Sequence, residues 1–244
     1  MTFFGAFLRR LGGWIAVADL IALMAELGLD AQSVRSSVSR LKRRGVIASE
    51  RRGGAAGYRL TAHGDAILRA GDARIFARRR APGWLLVVFS IPEAQRALRH
   101  RLRAGLAGLG LGTVAPAVWI APAQLQDEVR ALVDELGLDG NVTLFTGEAP
   151  DGDPARWWDL ERIAAEYARY VAEWEPSLAR EPSFADYVRQ LDAWRRIPFH
   201  DPGLPPEALP ADWPGEHAWG VFGALEERLR GPALAHALEV CGAR

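Results

Sequence analysis

One cysteine, Cys241, stands among the 244 residues. A single thiol excludes an internal disulfide framework and any multi-cysteine metal site. The histidines, His63, His100, His200, His217 and His236, show no zinc-binding spacing, so no metal centre is expected. Long apolar runs are also missing. The longest uncharged stretch, Ala104–Gln126, is punctuated by four glycines and two prolines, whereas a bilayer-spanning helix needs ~20 continuous apolar residues. The apolar N-terminal stretch is interrupted by Asp19 and Glu26, and no small-residue cleavage site follows. The expectation is a cytoplasmic protein without a membrane partner. There is no Gly-x-Ser-x-Gly elbow and no P-loop, and Gly105, Gly108, Gly110 and Gly112 have the wrong spacing for a dinucleotide fingerprint. No enzyme, catalytic residue or resident cofactor is expected.

What is present is ordinary globular composition, 49% hydrophobic and 25% charged. The 30 Lys+Arg are matched by 30 Asp+Glu, which at first argues against a nucleic-acid partner. The average hides a gradient. Residues 1–80 carry 15 basic against 6 acidic residues, residues 81–150 carry 5 against 7, and residues 151–244 carry 10 against 17. The thirds are therefore +9, −2 and −7. A basic third of this kind points to nucleic-acid contact.

The pattern predicts an α+β protein in three parts, 1–80, 81–148 and 149–244. In the first, Leu20, Ile21, Leu23, Met24 and Leu27 recur at helical spacing up to Gly28. Asp30 is placed to cap a second helix, Ala31–Arg44, closed by Gly45. Two short strands, Val46–Ser49 and Tyr58–Leu60, flank a charged tip, Glu50–Gly57, and Thr61 caps a further helix. Helix–turn–helix followed by a hairpin is the order of a winged helix-turn-helix. In the second part Trp84–Phe89 reads as a buried strand, followed by a helix from Pro92, strands near Leu111–Ala115 and Val118–Ala121, a helix Ala123–Leu136 and a strand Val142–Thr146. That βαββαβ order is ferredoxin-like. The third part, opened by the turn-rich Asp151-Gly152-Asp153-Pro154, is mainly helical. Its expected helices are Arg156–Trp174, Ser183–Arg196, Glu216–Arg230 and Ala233–Val240, with the proline-rich Ile197–Gly215 as an extended loop.

The helix from Ala31 carries the chemistry. With Val34, Val38 and Leu41 on one face, Gln32, Ser36, Ser39, Arg40 and Arg43 fall on the other, flanked by Arg35 and Lys42. Arg can bond guanine bidentately, Gln can bond adenine, and serine permits close approach in the major groove. Arg51 and Arg52 at the hairpin tip suit phosphate contact. The same basic face would also suit a protein-interaction scaffold with an acidic partner.

The segments V-R-S-S-V-S-R-L-K-R-R-G (Val34–Gly45) and R-R-G-G-A-A-G-Y-R-L-T-A-H-G (Arg51–Gly64) resemble the N-terminal domain of the PaaX family. W-L-L-V-V-F-S-I-P-E (Trp84–Glu93) and V-W-I-A-P (Val118–Pro122) are similar to its central domain, and D-P-G-L-P-P-E-A-L-P-A-D-W-P-G (Asp201–Gly215) to its C-terminal signature. The resemblance implies a dimeric winged-helix repressor of a phenylacetate-type catabolic operon. Such a homodimer would bind a palindromic double-stranded operator and release it on binding an acyl-CoA such as phenylacetyl-CoA. Gly54 stands where the family wing usually carries a further Arg.

The central order is also similar to that of the small nuclease of CRISPR adaptation modules, in which an Asp ends the first strand and holds a metal. Phe89-Ser90-Ile91-Pro92 has no carboxylate there, and Glu93 heads a helix, where it complements the dipole. A metal-dependent nuclease is thus the disfavoured alternative. For the effector, a thioester of coenzyme A needs cations for its phosphates and an apolar slot for its acyl group. Trp194, Arg195, Arg196, Phe199 and His200 bring both together, with Tyr167, Tyr170 and Trp174 expected across a helix pair. The same aromatics also suit a packed core, which is the favoured role, and for His200 a loop-fixing hydrogen bond is favoured over a ligand contact.

Overall fold

The computed structural model describes residues 1–78, 82–148 and 152–242. The expected part boundaries at 80/81 and 148/149, and Asp151 of the expected linker, lie outside the described residues. The chain is mixed α/β with two antiparallel sheets, and it divides into two compact units. The first comprises Met1–Ala77, Tyr170–Trp194 and His217–Arg244; the second comprises Arg78–Arg169 and Arg195–Glu216. Residues of the expected third part are thus shared between the two.

The first unit opens with a π-helical turn, Phe4–Leu8, then β1 (Trp14–Ala16), α1 (Val17–Ala25), α2 (Ala31–Arg43), β2 (Ile47–Arg52), β3 (Ala55–Leu60) and α3 (Ala62–Ile75). Thr61 caps α3 by accepting from the Gly64 amide at 2.9 Å. Two features differ from the sequence expectation. The hairpin strands run further, because Gly53 and Gly54 both have positive φ (55° and 84°), the geometry that closes a hairpin in two residues. Glu50–Arg52, expected as a loose tip, therefore pair in register with Ala55–Gly57. The sheet also gains a third strand, since β1 pairs antiparallel with β3.

Helices α7 (Phe184–Trp194) and α9 (Gly215–Gly242) supply the rest of this unit's core, together with the end of α6 (Leu160–Trp174). Phe7 lies 5.3 Å from Phe184 and 5.7 Å from Tyr187, ring centre to ring centre. Trp194, fully buried, stacks on Phe222 at 4.4 Å and donates its indole N–H to the Ile75 carbonyl at 3.0 Å. One helix replaces the two expected at 216–230 and 233–240. Pro232 lies inside it and removes one backbone donor. Burial recurs through the proline, at Leu225, Leu229, Ala233 and Ala237, so a continuous face offsets the lost bond. Glu226 is buried on this helix, paired with Arg230; burial raises its carboxyl above the ordinary range while Arg230 opposes the rise. Burial, with Glu226 nearby, pushes the Tyr187 hydroxyl up to about 12.

The second unit is built on β4 (Trp84–Phe89), α4 (Arg96–Gly108), β5 (Gly112–Ala115), β6 (Val118–Pro122), α5 (Gln126–Leu136) and β7 (Val142–Gly147). Its sheet has the order β5-β6-β4-β7, every neighbour antiparallel. Leu85, Val87, Phe89, Trp119 and Ala121 alternate onto one core with Leu102 and Leu106 of α4 and Val129 and Val133 of α5. The stretch expected as an extended loop after Arg196 contains a helical turn, α8 (Ile197–His200), and a 3₁₀ turn at Pro206–Ala208. It is pinned down by side chains. The Tyr167 hydroxyl donates to Asp201 at 2.6 Å, Asp201 accepts the Gly203 amide at 2.8 Å, and Gln124 donates to the Pro202 carbonyl at 2.9 Å.

Candidate nucleic-acid interface

Helix α2 is set by local chemistry at both ends. Asp30 accepts from the amides of Gln32 and Ser33 at 2.8 and 2.9 Å and from the Ser33 hydroxyl at 2.7 Å. Those bonds, the Ser33 amide foremost, hold its carboxyl below the ordinary range. Gly45 ends the helix in the left-handed region, φ 67°. Val34, Val38 and Leu41 are buried, which turns every predicted contact residue outward. Gln32, Arg35, Ser36, Ser39, Arg40, Lys42 and Arg43 are all exposed. Arg40 bonds Ser37 within the helix at 2.9 Å. Among the described residues, Arg35, Lys42 and Arg43 have no ion pair. The result is a face of cations and small hydroxyls without large apolar groups.

The hairpin adds Arg51 and Arg52, both exposed. Arg51 donates to the Gly54 carbonyl at 2.7 Å, which folds it back over the turn. Arg52 pairs with Glu50 and lies 5.6 Å over the Trp14 ring, and Glu50 also holds Arg59 at 3.1 Å. The two arginines are thus preset near the tip rather than free to swing. Sequence reasoning missed Trp14 and Glu50. Their signal in the sequence is weak, because three-residue β1 carries no periodicity and Glu50 reads as part of the charged tip. Gly57 belongs to the same arrangement: a Cβ there would meet the Trp14 ring at 2.4 Å and the Ile15 carbonyl at 2.5 Å.

The turn between α1 and α2 is held from behind. His236 Nε2 of α9 lies 2.8 and 3.0 Å from the two Glu26 carboxylate oxygens, and Arg189 of α7 donates to the Leu27 carbonyl at 3.2 Å. The angle at which α2 is presented therefore depends on helices far along the chain.

The residues expected around an effector fall into both units. Trp174 and Trp194 belong to the first; Tyr167, Arg195, Arg196, Phe199 and His200 belong to the second. Tyr167, Trp174 and Trp194 are all at least 95% buried, and Tyr170 donates to Gln190 at 2.9 Å in the first core. Arg196 is exposed, and Arg195, Phe199 and His200 are half-buried. His200 Nδ1 lies 2.7 Å from Glu166, which also accepts from Arg162 at 3.1 Å. Where a nuclease of the related order would place its first-strand Asp, the Ser90 amide bonds Asn141 at 2.8 Å, and Glu93 pairs with Arg99 at 2.7 Å. Among the described residues no group of three or more His, Cys, Asp or Glu could hold a metal ion, and no helix is long and apolar enough to cross a membrane.

Comparison with known proteins gives three family models in chain order. Residues 1–64 match the model described as PaaX-like protein, 78–157 the PaaX protein central Cas2-like domain, and 158–239 the PaaX-like protein C-terminal domain. The transcriptional repressor PaaX of Escherichia coli K12 is 26% identical over 98% of this chain and 81% of its own length. Among solved structures, the uncharacterised protein Rv0674 from Mycobacterium tuberculosis superposes with a TM-score of 0.62 at 24% identity. It covers 98% of this chain and 95% of that one, a likeness of fold.

Proposed function

Because the chain belongs to the PaaX family, we propose that it is a winged helix-turn-helix repressor that reads operator DNA with α2. As a relative of a transcriptional repressor it is a DNA-binding regulator and not an enzyme. The observation that carries the finer reading is the outward face of α2, a cationic hydroxyl-rich surface backed by three buried apolar anchors. Arg35, Ser36, Ser39, Arg40 and Arg43 read base edges in the major groove, and Arg51 and Arg52 hold phosphates. Selection of bound duplexes from a random library should return a palindromic site. Against that site Arg40→Ala should cost roughly 1–3 kcal/mol and relax preference at one base position. Equal weakening on every sequence would move Arg40 to the phosphates, and failure to select any site would end the reading.

The central unit, read as ferredoxin-like, is proposed to make the homodimer that a palindrome requires. Phe145 supports this: it is 55% exposed on β7, an edge strand of the sheet, and a large apolar group at an edge is a natural contact between copies. Phe145→Asp should raise the dimer dissociation constant at least tenfold in sedimentation equilibrium; an unchanged constant would place the contact elsewhere. The proposed effector is an acyl-CoA such as phenylacetyl-CoA, and the proposed target a phenylacetate-type operon in the cytoplasm. Arg195, Arg196, Phe199 and His200 are the accessible members of the expected set. The buried aromatics serve packing.

A further inference from the structure

Residues 81–150 sum to −2, yet their charges are sorted in space. Four of the five basic residues in that stretch, Arg96, Arg99, Arg101 and Arg103, fall on α4. Leu102 and Leu106 seat that helix on the sheet, with Leu98 packed against the same core. Arg96, His100, Arg101 and Arg103 are left exposed. At 100° per residue Arg96, His100 and Arg103 lie within an arc of about 60°, and Arg101 lies about 100° further round, at the opposite edge of the exposed face. Among the described residues Arg96, Arg101 and Arg103 have no ion pair, whereas Arg99 is held by Glu93 at 2.7 Å. No acidic residue falls on α4 itself, so Arg96, Arg101 and Arg103 lack compensation from their own helix.

Its chemistry selects the partner. Ala104 and Ala107, exposed in the next turn of the helix, are small, and the exposed large apolar side chains (Leu29, Phe76, Val114, Phe145 and Leu238) all lie off α4. A protein partner would need an apolar centre to its interface; this surface offers only guanidinium groups and an imidazole. Guanidinium is the group suited to phosphate oxygens. From Arg96 to Arg103 the helix rises ~10 Å, comparable with roughly three nucleotides of one strand at ~3.4 Å each.

We propose that α4 is a second DNA-binding surface, on which Arg96, Arg101 and Arg103 neutralise backbone phosphates of duplex lying outside the base pairs read by α2. The proposal rests on the DNA-binding reading of α2 and adds a sequence-independent contact from the other unit. Its test uses the full chain and a random-sequence duplex of about forty base pairs, with affinity followed by anisotropy from low to moderate salt. Each phosphate neutralised adds about 0.9 to the slope of log K against log[salt]. The triple variant R96Q/R101Q/R103Q should therefore lower that slope by roughly 2–3 and weaken binding at least tenfold at ~0.1 M salt. R96K/R101K/R103K, which keeps the charge, should restore most of the slope. R40Q/R43Q/R51Q should lower it separately. An unchanged slope in the α4 variant beside a reduced one in the α2 variant overturns the proposal while leaving α2 as the reader. Loss of self-association in the α4 variant with the slope intact overturns it in favour of a protein contact. No duplex binding by the wild-type chain overturns both readings.

Discussion

Gly64→Ala is expected to detach α3 from the hairpin and to abolish DNA binding with it. The glycine sits in the first turn of α3, where a Cβ would come within 2.0 Å of the Val46 carbonyl oxygen and 2.8 Å of its carbon. That oxygen already accepts the Thr61 amide at 3.2 Å and the Thr61 hydroxyl at 3.1 Å. The obstacle is backbone, so no side-chain rotation relieves it, and the helix must lift from the strand that follows α2. Overpacking of this kind costs ~1–3 kcal/mol and more where the neighbour cannot yield. Gly71→Ala, in the same helix, is the control. Its Cβ would meet only Ile75 at 3.9 Å, and alanine gains ~0.5–1 kcal/mol over glycine in a helix interior. Thermal unfolding should show opposite signs for the two variants. Equal midpoints would mean that the close approach is not structural.

The contrast between these glycines marks where sequence reasoning reached and where it stopped. The helix α2 was legible because its determinants are local: an Asp30 cap, three apolar positions at helical spacing and a left-handed Gly45. Strand β4 was legible because Trp84–Phe89 is an unbroken apolar run. Gly64 was noticed only as part of a motif, since its reason is a carbonyl eighteen residues earlier. Likewise β1 is too short for a period and exists through its pairing with β3. The length of α9 depends on what its far side meets, and a rule about proline alone places the break wrongly. Charge failed in the same way. A segment total of −2 erased the α4 ridge, just as a whole-chain total of zero erased the basic third. Averages along the chain lose what folding sorts onto faces.

Trp194→Ala should give a large stability loss, and it separates two roles that aromatic-rich sequence left open. The indole is fully buried, stacked on Phe222 at 4.4 Å with planes 10° apart, edge-on to Trp219 at 4.7 Å and 5.0 Å from Tyr170. Its N–H satisfies the Ile75 carbonyl at the end of α3. Removing it opens a cavity among rings from α6 and α9 and leaves the Ile75 carbonyl without the indole donor. Truncations of this class cost ~3–5 kcal/mol, and in a chain of this length each kcal/mol moves the melting midpoint by ~2–4 °C. A fall of roughly 10 °C in scanning calorimetry is the expected result. Trp194→Phe should fall less, because it keeps a ring against Phe222 and loses mainly the hydrogen bond. Since Trp194 holds the end of α3 and α2 belongs to the same unit, the Ala variant should lose DNA affinity as temperature rises, in step with unfolding. A residue serving mainly to contact an effector would behave otherwise: its removal would leave the midpoint within about 2 °C of wild type and alter only the response to acyl-CoA. That outcome would move Trp194 from the core to the ligand.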